Sequence, residues 1–148
     1  MASPGLLWID SLCINLQDSK ERSKQVTMMK DIYAGAEEVV VWLGEEGSDT
    51  LRAFRLLHGL ADLWDMAVED AKRFLSYLVR NEQFRGHWLA LGQLLGRPWW
   101  QRIWVVQEIV MARKAFVLCG CWAAEWGQIE RATAAFKECF IYIDELQE

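Results

Sequence analysis

Apolar positions along this chain follow two rhythms. Three segments are continuous apolar runs: residues 6–10, ending in Asp10; residues 39–44, ending in Gly44; and residues 115–120, ending in Gly120. Unbroken runs of this length, rather than alternating ones, fit parallel strands covered on both faces. Elsewhere the spacing is helical. Between the first two runs, Val26, Met29, Ile32, Tyr33 and Ala36 line one stripe, and Asp18 with Glu21 reads as the capping pair that starts it. The expectation is a β-α-β unit with a right-handed crossover.

The middle, residues 48–96, holds no strand-like run. Ala53, Leu56, Leu57, Leu60, Leu63 and Trp64 form one helical stripe. Val68, Ala71, Phe74, Leu75, Leu78 and Val79 form a second. Trp88, Leu91 and Leu95 suggest a short third, weakened by Gly86 and Gly92. Gly96-Arg97-Pro98 breaks the chain, and Pro98 suits the first turn of a Trp-rich helix. After the third run, Ile129, Ala132, Phe136, Phe140 and Ile143 read as a C-terminal helix. The chain is read as one domain, 1–148: a β-α-β unit (6–47), a helical insertion (48–96), the Trp-rich helix and third strand (97–120), and the C-terminal helix (121–148). The fold class expected is α/β, a small parallel sheet with flanking helices and a helical insertion.

Composition narrows the functions. A net charge of −5 leaves no basic surface for nucleic acid. No apolar run approaches the ~18 residues of a membrane span, and the first residues lack a basic n-region, so a cytoplasmic protein is expected. Nine tryptophans supply core area or a binding pocket. Trp8, Trp42, Trp64 and Trp88 are expected in the core, whereas Trp99 and Trp100, straight after Pro98, stay open between packing and contact. The four cysteines lack zinc spacing relative to His58 and His87, so no metal is expected and the thiols are read as reduced packing residues.

Ligands of an open parallel sheet bind beyond the carboxyl ends of the strands. That places Asp10, the following loop 11–18 with Asn15, and Glu45-Glu46 on the edge where chemistry would occur. Asp10 could equally cap its own loop. No Gly-rich phosphate loop or Ser-His-Asp pattern is present. In the Trp-rich helix, Trp100, Trp104, Glu108 and Ala112 share one narrow stripe, opposite Ile103, Val106 and Val110. A carboxylate on a mostly apolar helix either pairs, here with Arg102 or Arg113, or is kept for chemistry.

The segment Leu7-Trp8-Ile9-Asp10-Ser11-Leu12-Cys13-Ile14-Asn15 resembles the "LWIDALCINQ" motif of fungal heterokaryon-incompatibility (HET) domains. The likeness continues through Val41-Trp42-Leu43-Gly44, Arg97-Pro98-Trp99-Trp100, Arg102-Ile103-Trp104-Val105-Val106-Gln107-Glu108 and Cys119-Gly120. One departure is Leu16, where the family usually has Gln. Another is at the front: HET domains usually begin with a "YxALSYxWG" strand and helix, and here five residues precede Leu6, so the resemblance implies a shortened form without that strand.

HET domains are in turn similar to TIR domains. That resemblance implies a TIR- or flavodoxin-like sheet, incomplete here. NAD-cleaving TIR domains carry a catalytic glutamate in a W-x-x-x-E pattern before their fourth strand, and Trp104 to Glu108 has that spacing. By that analogy Glu108 is the catalytic candidate, with Asp10, Asn15, Trp100 and Trp104 as binding candidates. The implied function is an effector of non-self recognition leading to programmed cell death, with NAD as substrate and no required cofactor. The alternatives are a non-catalytic module signalling by self-association, or with other HET- or NLR-type proteins, and an inactive fragment.

Overall fold

Strand pairing in this protein begins at Val39, not at Leu6. The computed structural model describes residues 6–15, 17–102 and 109–145, with the backbone alone for 22, 26 and 139–145. Residues 6–9 have no regular structure, and the chain then makes one short turn of helix, α1 (Asp10–Cys13). The strand expected at 6–10 is therefore absent. A strand holds only where its N–H and C=O groups meet a neighbour, and no described strand pairs with this segment. Leu6 and Leu7 are 105 and 75% exposed, so the apolar run serves no core.

Helix α2 (Ser19–Gly35) starts as expected. The Asp18 carboxylate accepts the N–H groups of Lys20 and Glu21 at 2.9 and 3.2 Å. Glu21 does not return the bond to Asp18; it accepts the Asn15 N–H at 3.1 Å. Of the expected stripe, Met29 is buried and Ile32 and Tyr33 are half-buried.

The sheet has three strands in the order β1 (Val39–Trp42), β2 (Ala115–Cys119), β3 (Trp122–Glu125). β1 and β2 are parallel, with Val41 beside Val117. β2 and β3 are antiparallel, with Cys119 beside Trp122. The sheet is thus mixed rather than all parallel, and β3 occupies residues expected to begin the C-terminal helix. Its cause is the two-residue turn Gly120-Cys121, where Gly120 has φ +56°. A glycine in the first position of such a turn matches the twist of the strands it joins.

Burial alternates along β1 and β2. Val41, Val117 and Cys119 face the core, while Val40 and Trp42 are 51 and 50% exposed. Coverage of both faces, and a core position for Trp42, are corrected here: among the described residues the main helical contacts with the sheet, from α3 (Thr50–Asp62) and α6 (Trp126–Glu145), fall on its buried side.

The crossover from β1 to β2 runs through α3, a 3-10 turn (Leu63–Asp65), α4 (Val68–Arg80), a second turn (Glu82–Phe84), α5 (Arg85–Leu95) and a third turn (Pro98–Gln101). The segment read as a helical insertion supplies much of the core. α3 packs on α5 and α6 and gives Ala53, Phe54, Leu57 and Leu60 to the core. Full burial of each large apolar side chain contributes roughly 1.5–3 kcal/mol. Leu75 and Leu78 of α4 and Leu91 and Leu94 of α5 join them. Trp64, Phe74, Val79 and Leu95 lie on the outer side of these stripes and are exposed. Trp88 is half-buried, its indole N–H donating to the Leu78 carbonyl at 3.0 Å. Trp8 is half-buried against Tyr33, edge to face at 5.8 Å. No helix among the described residues is long and apolar enough to cross a membrane.

Candidate functional site

The carboxyl ends of the two parallel strands, at Trp42 and Cys119, meet one cluster of loops. Gly44 turns the chain away from β1 with φ +103°. A Cβ there would lie 3.0 Å from Nη1 of Arg97, so the guanidinium rests over the glycine. The same Nη1 donates to the Leu43 carbonyl at 2.7 Å, joining the end of β1 to the break before the Trp-rich segment. Opposite it, the Gly120 N–H donates to the Gly44 carbonyl at 3.0 Å. A Cβ at Gly120 would lie 2.5 Å from Cβ of Glu46, so two left-handed glycines let the loop and the hairpin close on each other.

Thiols fill this junction. The buried Cys119 thiol donates to the Glu45 carbonyl at 3.6 Å and lies 3.9 Å from Oγ1 of Thr50. The exposed Cys121 thiol donates to Oε2 of Glu46 at 3.1 Å. That hydrogen bond, with desolvation and the Glu46 charge, raises the Cys121 thiol above its ordinary range. The proton is held, which disfavours the nucleophilic thiolate. Cys13 is also exposed, so of the three thiols described only Cys119 is a packing residue. Among the described residues no group of His, Cys, Asp and Glu could hold a metal.

Beside Arg97 lies a polar pocket of about 80 Å³, lined by Ser48, Asp49, Thr50, Gln93, Leu94 and Arg97. A larger apolar cleft of about 410 Å³, lined in part by Val79, Trp88, Leu89 and Phe136, takes no lining from the strand-end loops.

The expected site residues fall in different places. Asp10 does not end a strand; it begins α1, where Oδ1 accepts the Ser11 N–H at 2.7 Å and Oδ2 accepts Nη2 of Arg102 at 3.1 Å. One side chain thus makes both a local backbone bond and an ion pair across the sequence. Asn15 shapes the turn into α2, its Oδ1 accepting the Gln17 N–H at 3.1 Å. Trp100 is half-buried and stacked on Trp126 at 6.1 Å, with its indole N–H donating to the Leu94 carbonyl at 3.0 Å. Trp99 is buried, edge to face with both of them. Trp104 and Glu108 lie outside the described residues. The structure brings Asp10 to Arg102, and it adds Arg97, which the sequence reading passed over. The available signal was the glycine that ends β1, a cue that another group approaches its backbone closely.

Comparison with known proteins gives one consistent answer. Residues 2–108 match the family model described as heterokaryon incompatibility protein (HET). The chain is 31% identical over 142 residues to heterokaryon incompatibility protein 6, OR allele, of Neurospora crassa; the match covers 77% of this chain and 20% of that protein. The chain thus spans about a fifth of the length of this relative. No solved structure matches the chain.

Proposed function

The chain belongs to the heterokaryon-incompatibility (HET) family, and from that premise we propose that it is an effector module of fungal non-self recognition whose output is programmed cell death. The observation that carries this reading is the Asp10–Arg102 ion pair, whose two residues both lie inside the family match and stand 92 positions apart. It ties the Leu-Trp-Ile-Asp segment to the segment that follows Pro98. Two motifs held by one charge-assisted bond are suited to building one site.

The chemistry proposed for that site is TIR-like cleavage of NAD in the cytoplasm. Water adds at the ribose carbon that carries nicotinamide, the carbon–nitrogen bond breaks, and nicotinamide leaves with the bonding pair. ADP-ribose and a proton are the other products. Glu108 holds the ribose hydroxyls and stabilises the positive charge that develops on the sugar. Trp104, from the same spacing, and Trp100 are the aromatic candidates for stacking on the nucleotide, and Asp10 and Asn15 are the further binding candidates. The W-x-x-x-E spacing supports this, as does the position of β2 after that segment.

The test is expression in a fungal cell together with nicotinamide release from NAD by the purified chain. Toxicity and release that both vanish in Glu108→Gln, with the fold retained, are the expected results. A folded chain that neither releases nicotinamide nor harms the cell would overturn the reading. A second reading, signalling by self-association, has one observation in its favour: Val40 and Trp42 are exposed on β1, whose outer edge pairs with no described strand. Sedimentation that shows a monomer at high concentration would remove it.

A further inference from the structure

We infer that the small pocket beside Arg97 is a binding site for a phosphoryl-type oxyanion. The carrier of the inference is an uncompensated cation in a polar cavity. Arg97 is half-buried, and one of its guanidinium nitrogens is engaged with the Leu43 carbonyl. A guanidinium has five N–H donors, and no described carboxylate lies within ion-pairing distance of Arg97. Asp49 also lines the pocket, but its Oδ1 is held by Nη1 of Arg52 at 2.8 Å. Among the described residues this half-buried guanidinium has no carboxylate counter-ion, so an anion that reaches the pocket meets an attractive charge and free N–H donors.

The rest of the lining suits the same ligand. Ser48 and Gln93 place a hydroxyl and an amide at the rim. Asp49 precedes α3 without capping it through its side chain, and the Thr50 N–H donates to the Gly47 carbonyl at 3.2 Å, so the positive end of the helix dipole lies on this side. The pocket's volume of about 80 Å³ is several times what one water requires and leaves room for a phosphoryl group. Arginine's planar fork recognises phosphoryl oxygens in pairs, which a lysine does not reproduce. The ligand chemistry is therefore a phosphate or diphosphate, free or carried by a nucleotide whose remainder lies outside the pocket. The inference goes beyond the proposed function, because it concerns binding and holds whether or not Glu108 cleaves anything.

The experiment is calorimetric titration of the full chain with inorganic pyrophosphate and, separately, with ADP-ribose. Binding is expected, weakened about tenfold or more by Gln93→Glu, which sets a carboxylate at an exposed rim position and leaves the Arg97–Leu43 bond in place. The melting temperature of that variant should not move. Arg97→Lys, which keeps the charge and loses the fork, should weaken binding as well. Tighter binding of ADP-ribose identifies a nucleotide as the source, and equal binding identifies free phosphate; both support the site. No binding of either probe by folded protein, or binding that Gln93→Glu leaves unchanged, overturns it. Glu108→Gln should bind both probes normally, so a failure of cleavage and a failure of this site remain separate results.

Discussion

Two apolar stretches of this chain have opposite fates. Leu6, Leu7 and Leu12 in the amino-terminal arm stand in solvent, while Ala53, Phe54 and Leu57 at the start of α3 are among the most buried residues of the molecule. Both stretches look equally suited to a core when read as composition. The difference is partnership. α3 has α5 on one side, α6 on another and the sheet behind it. Among the described residues the arm buries Ile14, sets Trp8 against Tyr33 and pairs Asp10 with Arg102. The arm also lies inside the stretch that matches the family and holds the Leu-Trp-Ile-Asp segment that resembles its motif. Motif density and packing density are therefore separated in this protein, which is the pattern of a segment kept for a task other than holding the fold.

Mutations can break that contrast. The largest effect should come from Phe54→Ala, which empties a buried position and costs about 3–5 kcal/mol of stability; denaturant unfolding followed by tryptophan fluorescence reads it directly. Gly120→Ala comes next, at roughly 1–3 kcal/mol for the left-handed backbone, with Glu46 obliged to move as well. Asp10→Asn should change stability by less than about 1 kcal/mol, because the pair it breaks is partly exposed. Its effect on toxicity in a fungal cell should nevertheless be large. A full loss of fold with Asp10→Asn would turn the arm into a structural element and end the contrast. Smallest of all is Leu7→Ser, expected within about 0.5 kcal/mol of the parent in a thermal melt.

The helices were legible because their stripes repeat over several turns. Leu57, Leu60, Leu75, Leu78 and Leu91 are buried as their spacing predicts. Short apolar runs were less informative. The same kind of run gave a true strand at Val39–Trp42 and no strand at residues 6–10. A four-residue run carries no period of its own, and only a neighbour decides whether it becomes a strand. β3 escaped notice for a related reason: Trp-Ala-Ala-Glu has no strand signature, and the Gly120-Cys121 turn was its only announcement. At the candidate site, Asp10 was readable from its motif. Arg97 was not, because its partner Leu43 lies 54 positions away and offers a backbone carbonyl, which no side-chain pattern encodes.

The parallel pairing of β1 with β2 also sets an order of assembly. Val41 meets Val117 only after α3, α4 and α5 have intervened. Closing so long a loop costs entropy before any ladder bond repays it, and contacts distant in sequence form slowly. The helices between them pack out of sequence order as well, α3 on α5 and on α6. The β1–β2 ladder is thus expected to seal late, together with the packing of α3 on α6. The pocket beside Arg97 takes its shape from α3, α5 and the end of β1, so it exists only once that late step is complete.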